Sequence, residues 1–267
     1  MAVAERLQVA AARRRTFWFS GKGAVTGIPY LWLFIFFLVP FAIVFRISLS
    51  EPMIAQPPYS PLFGADGGYQ GSFFNYQLLA DDVLFRAAYL NSLWIAGIST
   101  LVTLLIGYPM AYAIARATPL VRNLLLMAVM LPFWSSFLLR VYALKTIMAD
   151  TGLANGLLLH LGLIDAPIRM LQTDFALYVG ISYTYLPFMI LPLYATLERL
   201  DWSLVEAAED LGCRPWKAFL LVTLPLSIPG IIAGAMLVFI PATGEFVIPN
   251  MLGASETLMI GRMLWDT

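Results

Sequence analysis

Long uncharged stretches alternate with short charged ones along this chain. Five of them approach or exceed the roughly 20 mainly apolar residues that a helix needs to cross a hydrocarbon core. They are Ile28–Phe45, Asn91–Ala115, Asn123–Leu139, Phe175–Leu197 and Ala218–Gly244, the last continuing past Glu245 to Ser255. The third is short, but Arg140 and Lys145 near its end can snorkel to the interface. None shows the period-two alternation of a membrane barrel strand. The pattern predicts an all-α, polytopic membrane helix bundle with five spans.

Composition agrees with that pattern. Of 267 residues, 60% are apolar and 12% charged, and the mean hydropathy is +0.80. A soluble domain carries about a quarter charged residues, so lipid must cover much of this surface. Lys+Arg and Asp+Glu number 16 each, a balance that gives no reason to expect nucleic acid as a partner. Cys213, the single cysteine, cannot form an internal disulfide and reads as a small cytoplasmic side chain.

Charge placement predicts the orientation. Residues 1–25 are polar, with Arg13, Arg14 and Arg15 in a row, and the apolar run after them exceeds a signal-peptide core. This reads as an uncleaved anchor with a topology signal; acidic lipid or nucleic acid are the other partners such a run can bind. With the N-terminus inside, cytoplasmic segments hold Arg6, Arg13–Arg15 and Lys22, then Arg116 and Arg122, then Arg199, Arg214 and Lys217. Residues 49–88 and Ala149–Asp174 then form external loops, and Leu200–Pro225 is cytoplasmic.

Proline occurs in or beside every span: Pro40, Pro109, Pro132, Pro187, Pro192, Pro229, Pro241 and Pro249. Each removes a backbone donor and disturbs the preceding turn, as expected of a bundle that changes shape. Gly230 and Gly234 make a small-xxx-small face for close helix contact.

The cytoplasmic segment is patterned. Ser203–Leu211 predicts a short helix, with Ser203 and Glu206 as a capping box and Gly212 as its left-handed end. Pro215 fits the first turn of a second helix running into the fifth span. Leu204, Ala207, Ala208 and Leu211 fall on one stripe, while Glu206, Glu209 and Asp210 lie off it. Such a helix suits a groove on a partner protein; a self-packed interfacial helix is the alternative.

The run Glu206-Ala207-Ala208-x3-Gly212-x9-Val222-x-Leu224-Pro225 resembles the EAA loop of the permeases of binding-protein-dependent ABC importers, with Val222 where isoleucine is usual. The resemblance covers roughly Asn91 to Thr267. It implies the type I importer permease fold, with residues 91–267 as the permease domain and the coupling loop at 200–225. Residues 1–90 would hold the cytoplasmic N-terminus, first span and external loop. It implies coupling through Glu206, Ala207, Ala208, Gly212, Leu224 and Pro225, an inner-membrane location and three protein partners. These are an ATPase subunit that binds the ATP, a second permease subunit and a periplasmic substrate-binding protein. The stretches Leu131–Tyr142 and Pro241–Pro249 look like those of putrescine and spermidine importers, the putrescine type in particular. That family usually has six spans, and this chain stops eleven residues after Glu256, so a sixth helix is expected to follow in the natural protein.

A charge in lipid is costly, so Glu245 should face a cavity, a partner or the interface. Counting from Ser227 places it about 27 Å along the helix, near the outer mouth. It is a candidate receptor for a substrate ammonium, or else an interfacial acid paired with Arg140 or another helix. Trp134, about 18 Å from Arg122, and Tyr183 and Tyr185 are candidate path-lining aromatics, or packing residues.

Other readings fit less. Gly21-Lys22 is followed by Gly23, not Ser or Thr, so it is no phosphate-binding loop. The chain is therefore expected to be a transport subunit without its own ATPase site, cofactor or metal. A membrane-embedded enzyme would need a catalytic constellation, yet the one histidine, His160, falls in an external loop. An ion-coupled carrier leaves the EAA run unexplained. Amino acids, opines or similar solutes remain alternative substrates.

Overall fold

The computed structural model describes residues 21–54, 56–63 and 68–266. Arg6 and Arg13–Arg15, which carry part of the orientation expectation, lie outside them. The chain divides into two compact units, one ending at Asp82 and the other starting at Val83.

In the first unit, α1 (Gly21–Leu33), a π-helical turn (Phe34–Leu38) and α2 (Val39–Ser48) form one apolar helix. The stretch Val25–Ser48, 24 residues, is long enough to span a bilayer. Pro40 explains the widened turn: it cannot donate to the carbonyl four residues back, and the π turn absorbs the misfit. A short helix α3 (Phe74–Asp81) follows the Pro- and Gly-rich loop. The Asn75 side-chain amide ties α3 back to α2 by donating to the carbonyls of Ser48 and Ser50 at 3.1 and 2.8 Å.

The second unit is built on three long helices. They are α4 (Val83–Arg116), α8 (Asp174–Glu198) and a helix made of α10 (Pro215–Ala218), a π turn (Phe219–Thr223) and α11 (Leu224–Thr243). All three pack on one another. The π turn again precedes a proline, Pro225. The small-residue face is realised: a side chain at Gly230 would meet Thr196 Oγ1 at 2.6 Å, and one at Gly234 would meet Met189 Sδ at 2.8 Å. Without a hydrophobic force between helices in lipid, such backbone approach supplies the packing energy. Leu177, Ile181, Met189, Ile190 and Leu193 of α8 are fully buried, making it the central helix.

The third predicted span differs. Asn123–Leu139 is not one straight helix. Here α5 (Pro119–Met130) tightens into a 3-10 turn (Leu131–Trp134), and α6 (Phe137–Ile147) leaves at 95°. Pro132 in that turn and the extended Ser135 interrupt the ladder. The described residues thus hold four helices long and apolar enough to span, or five if this bent pair counts as one. The fifth predicted stretch also ends early, because Gly244 closes α11 and a separate short helix, α12 (Val247–Leu252), follows Glu245.

Between α6 and α8 lies α7 (Leu153–His160), within the second predicted loop. Asn155, fully buried, pins that loop: its amide donates to the carbonyls of Ala149 and Ile168 and accepts from the Ile168 N–H. His160 is exposed at the helix end. Past α8 comes α9 (Ser203–Asp210), and α13 (Ile260–Asp266) is the last described helix.

Candidate functional site

The short helix α9 is built much as its sequence suggests, with one correction at its start. No side chain caps it in the manner of a Ser203–Glu206 capping box. Instead the Asp201 carboxylate accepts from the Ser203 N–H at 3.1 Å. Hydrogen bonds from the Ser203 hydroxyl and backbone hold this exposed carboxyl below the usual carboxylate range. Asp201, two positions before the first helical residue, takes the Ser203 N–H that Glu206 would take in a capping box, and Trp202 rather than Ser203 occupies the N-cap.

The C-terminus follows the expectation. Gly212 sits at φ +87°, its N–H donates to Glu209 O at 2.8 Å, and the Cys213 N–H donates to Ala208 O at 3.0 Å. This pair of bonds is the Schellman arrangement, which favours glycine at that position. Pro215 then opens α10.

One face of α9 is anchored and another is free. Val205 is buried and Ala208 half-buried, while Leu204 is 48% and Leu211 87% exposed. Ala207, Glu206, Glu209 and Asp210 are exposed as well. The anchor continues at Trp202. The Arg116 guanidinium lies 4.6 Å from the Trp202 ring, and Tyr112 meets that ring edge-on at 5.7 Å. Tyr112 and Tyr108 both pack edge-on against Phe219 of the π turn, at 5.9 and 5.5 Å. The Tyr108 hydroxyl reaches Ser227 Oγ at 2.9 Å. An aromatic column thus runs from α9 into the bundle, and Leu224 packs beside it, whereas Pro225 is exposed.

The second constellation surrounds Glu245, which is 8% exposed. Its Oε1 accepts from the backbone N–H groups of Phe246, Val247 and Ile248 at 3.1, 3.0 and 3.4 Å. The Tyr185 hydroxyl donates to its Oε2 at 2.5 Å. The carboxylate therefore caps α12 and complements that helix's positive end. It makes no ion pair with Arg140; the ion pair among the described residues is Arg122–Glu198, at 2.9 Å. Arg140 is buried against the rings of Phe133 and Phe137, its guanidinium 5.9 and 6.0 Å from their centres. Phe133 packs on Phe188 at 5.3 Å, and Phe188 on Tyr185 at 6.1 Å, so rings connect Arg140 to Glu245.

The sequence profile of binding-protein-dependent transport system inner membrane components matches residues 104–267. The chain belongs to this family. It is 39% identical over 243 residues to the spermidine/putrescine transport system permease protein PotB of Haemophilus influenzae, covering 89% of this chain and 79% of that one. With PotB of Escherichia coli it shares 43% identity over 190 residues, 71% of this chain and 69% of the other. The inner membrane ABC transporter permease protein YdcU of Escherichia coli is 36% identical over 189 residues, 66% and 60% of the two chains.

Among solved structures, a bacterial ABC transporter involved in importing the acidic polysaccharide alginate superposes with a TM-score of 0.64 at 19% identity. The match covers 98% of this chain and 86% of that one. The same score is reached with the alginate transporter in complex with a periplasmic protein bound to alginate pentasaccharide, at 17% identity, covering 94% and 83%. Those likenesses establish the fold of this inner membrane component.

Within this permease, the four candidate path residues do not form one group. Glu245 and Tyr185 are bonded. Tyr183, two positions from Tyr185, points off a different face of α8 and lines an apolar cavity of about 360 Å³ with Met110, Ile114 and Pro132. Trp134 is 87% exposed at the α5–α6 bend, so a depth counted along a straight helix does not apply to it. Phe133 and Phe188 are not legible as a pair in the sequence because they come from separate elements, the 3-10 turn after α5 and the helix α8. The i, i+3 spacing of Tyr185 and Phe188 was the one available signal.

Proposed function

We propose that this chain is the permease subunit of an ABC importer that moves polyamines, putrescine or spermidine, across the inner membrane. The observation that carries the reading is α9: an anchored helix whose Leu204–Ala207–Leu211 face has no partner within the chain's described residues. The names of the relatives at 39–43% identity supply the substrate class.

In this reading α9 faces the cytoplasm, the N-terminus is cytoplasmic, and a separate ATPase subunit binds ATP and seats α9 in a groove. Small residues at 207 and 208 allow a close backbone approach, and Glu206, Glu209 and Asp210 meet basic groups at the groove's rim. Closure of the ATPase pair pushes α9. Trp202 and the aromatic column pass that displacement to α4 and α11, and the bundle opens to the other side. A second permease subunit completes the path, and a periplasmic binding protein delivers the solute. Glu245 with Tyr185 offers the charge and hydrogen bonding that a substrate ammonium requires; Tyr183 and Trp134 serve as further aromatic contacts along the path.

The experiment is uptake of labelled putrescine and spermidine into proteoliposomes holding the full-length complex. ATP-dependent accumulation of either polyamine in the presence of its binding protein is expected. Uptake driven by an ion gradient without the ATPase contradicts the importer assignment, and ATP-dependent uptake of other solutes alone contradicts the substrate.

A further inference from the structure

Among the described residues, the second unit holds one buried base and one buried acid, Arg140 and Glu245, at 9% and 8% exposure. Burying a charge is costly unless it is paired and hydrogen-bonded, and the two meet that cost unequally. Glu245 has three backbone N–H groups on Oε1 and the Tyr185 phenol on Oε2, where a further donor can still bind. Arg140 forms no ion pair with a described carboxylate, and its Nε has no hydrogen-bond partner. The Phe133 and Phe137 rings beside its guanidinium attract a cation without cancelling its charge.

The fold brings this uncancelled charge close to the acid. The helix α6, which carries Arg140, packs on both α8 and α12. Val141, next to Arg140, and Ile248, whose N–H bonds Glu245, belong to one buried cluster, against which Phe137 and Tyr185 pack. The Tyr185 phenol lies within electrostatic reach of both charges.

We infer that Arg140 is a release residue: its fixed positive charge keeps a polyamine from being held at the Glu245–Tyr185 site too tightly to move on. The inference rests on the reading above in which Glu245 receives a substrate ammonium, and deepens it by giving that site a second determinant. A lone carboxylate in a low-dielectric interior attracts a polycation strongly. A conducting site must be favourable enough to enter and weak enough to leave. With Arg140 in place the two buried charges sum to zero, so an ammonium gains a hydrogen bond to Oε2 but no net attractive field. Repulsion grows with the charge of the cargo, so spermidine, with more ammonium groups than putrescine, is eased out more strongly.

The test is equilibrium binding of labelled spermidine and putrescine to the full-length complex in nanodiscs, without binding protein, beside uptake by the same complex in proteoliposomes. Arg140→Met removes the charge and keeps a side chain that packs on aromatic rings. Replacing an unpaired buried charge by an apolar group should leave the thermal midpoint unchanged or raised. Arg140→Met is expected to bind both polyamines about tenfold more tightly, spermidine by the larger factor, while the maximal uptake rate falls severalfold. Arg140→Lys should behave as wild type, and in a Glu245→Gln background Arg140→Met should tighten nothing. A merely structural arginine gives the opposite pattern: a lowered midpoint, weaker binding and no rescue by lysine. Unchanged, weakened or undetected binding in Arg140→Met, with wild-type uptake and its dependence on Glu245 intact, would overturn the release role alone. Binding and uptake that Glu245→Gln leaves unchanged would overturn the reading of Glu245 as well, and a wild-type complex that imports no polyamine would overturn the substrate assignment.

Discussion

Tyr185 and Glu245, sixty positions apart, are joined by a hydrogen bond from the phenol to Oε2 at 2.5 Å. The bond couples the central helix α8 to the break between α11 and α12, where the other carboxylate oxygen holds three backbone N–H groups. One side chain thus starts α12 and fastens it to α8. A hydrogen bond to a charged group contributes about 1.5–3 kcal/mol. Tyr185→Phe should therefore lower the thermal midpoint of the purified protein while leaving its fold unchanged by circular dichroism. An unchanged midpoint means the bond contributes nothing net.

Replacement of Glu245 separates capping from charge. Glu245→Gln keeps an oxygen for the α12 N–H groups and removes the charge, so stability should fall by no more than about 1 kcal/mol. If the charge receives a substrate ammonium, the KM for polyamine uptake should rise roughly tenfold, the equivalent of about 1.4 kcal/mol, with a smaller change in maximal rate. Poor transport by Glu245→Asp alongside full activity of Glu245→Gln would rule the charge out.

Two glycines should respond in opposite directions. A Cβ at Gly234 would meet Met189 Sδ at 2.8 Å and the Met189 backbone oxygen at 3.1 Å, whereas one at Gly97 on α4 meets nothing within 4 Å. A flexible thioether can move, but a helix carbonyl cannot. Gly234→Ala should cost about 1–3 kcal/mol through overpacking. Gly97→Ala should be neutral, or stabilising by about 0.5–1 kcal/mol, because it only reduces unfolded-chain freedom. Unfolding in mild detergent with added denaturant reads both.

Trp202→Ala removes the ring that Arg116 and Tyr112 hold. A cation–π contact and an aromatic pair contribute about 0.5–1.5 kcal/mol each, enough to loosen α9 without unfolding the bundle. Transported solute per ATP hydrolysed should drop severalfold, and Trp202→Phe should restore much of it. Equal loss of transport and ATPase activity, with the ratio intact, would contradict a role in transmission.

Legibility in the sequence followed locality. The Schellman end of α9, the proline opening α10 and the Gly230–Gly234 face depend on residues a few positions apart, and spacing alone reveals them. The 95° bend at Leu131–Trp134 was hidden because Pro132 is compatible with a kinked span as well as a broken one. Hydropathy cannot distinguish the two. The capping box failed because Asp201, two residues earlier, competes for the same N–H. The partners of Glu245 were illegible in a different way. Its depth was counted along a helix that in fact ends at Thr243, and Tyr185 reaches it only through the packing of α8.

Gly212 allows a test of geometry apart from chemistry. No atom lies within 4 Å of a Cβ placed there, yet its φ is +87°. Asn tolerates that region and a β-branched residue does not. Gly212→Asn should preserve ATPase binding, and Gly212→Val should weaken it, by a conformational cost of about 1–2 kcal/mol. Equal affinities, measured by titrating the ATPase subunit onto the purified permease, would show that the turn does not set the pose of α9.

The most direct measurement is co-purification of the full-length permease with its ATPase subunit, comparing wild type with Glu206→Lys. Glu206 is exposed on α9, and its side chain makes no hydrogen bond or ion pair with a described residue. A stable complex in the wild type, lost in Glu206→Lys while the permease stays folded, is the predicted result. An ATPase held equally well by both proteins, or by neither, would contradict the assignment of α9 as the seat of coupling.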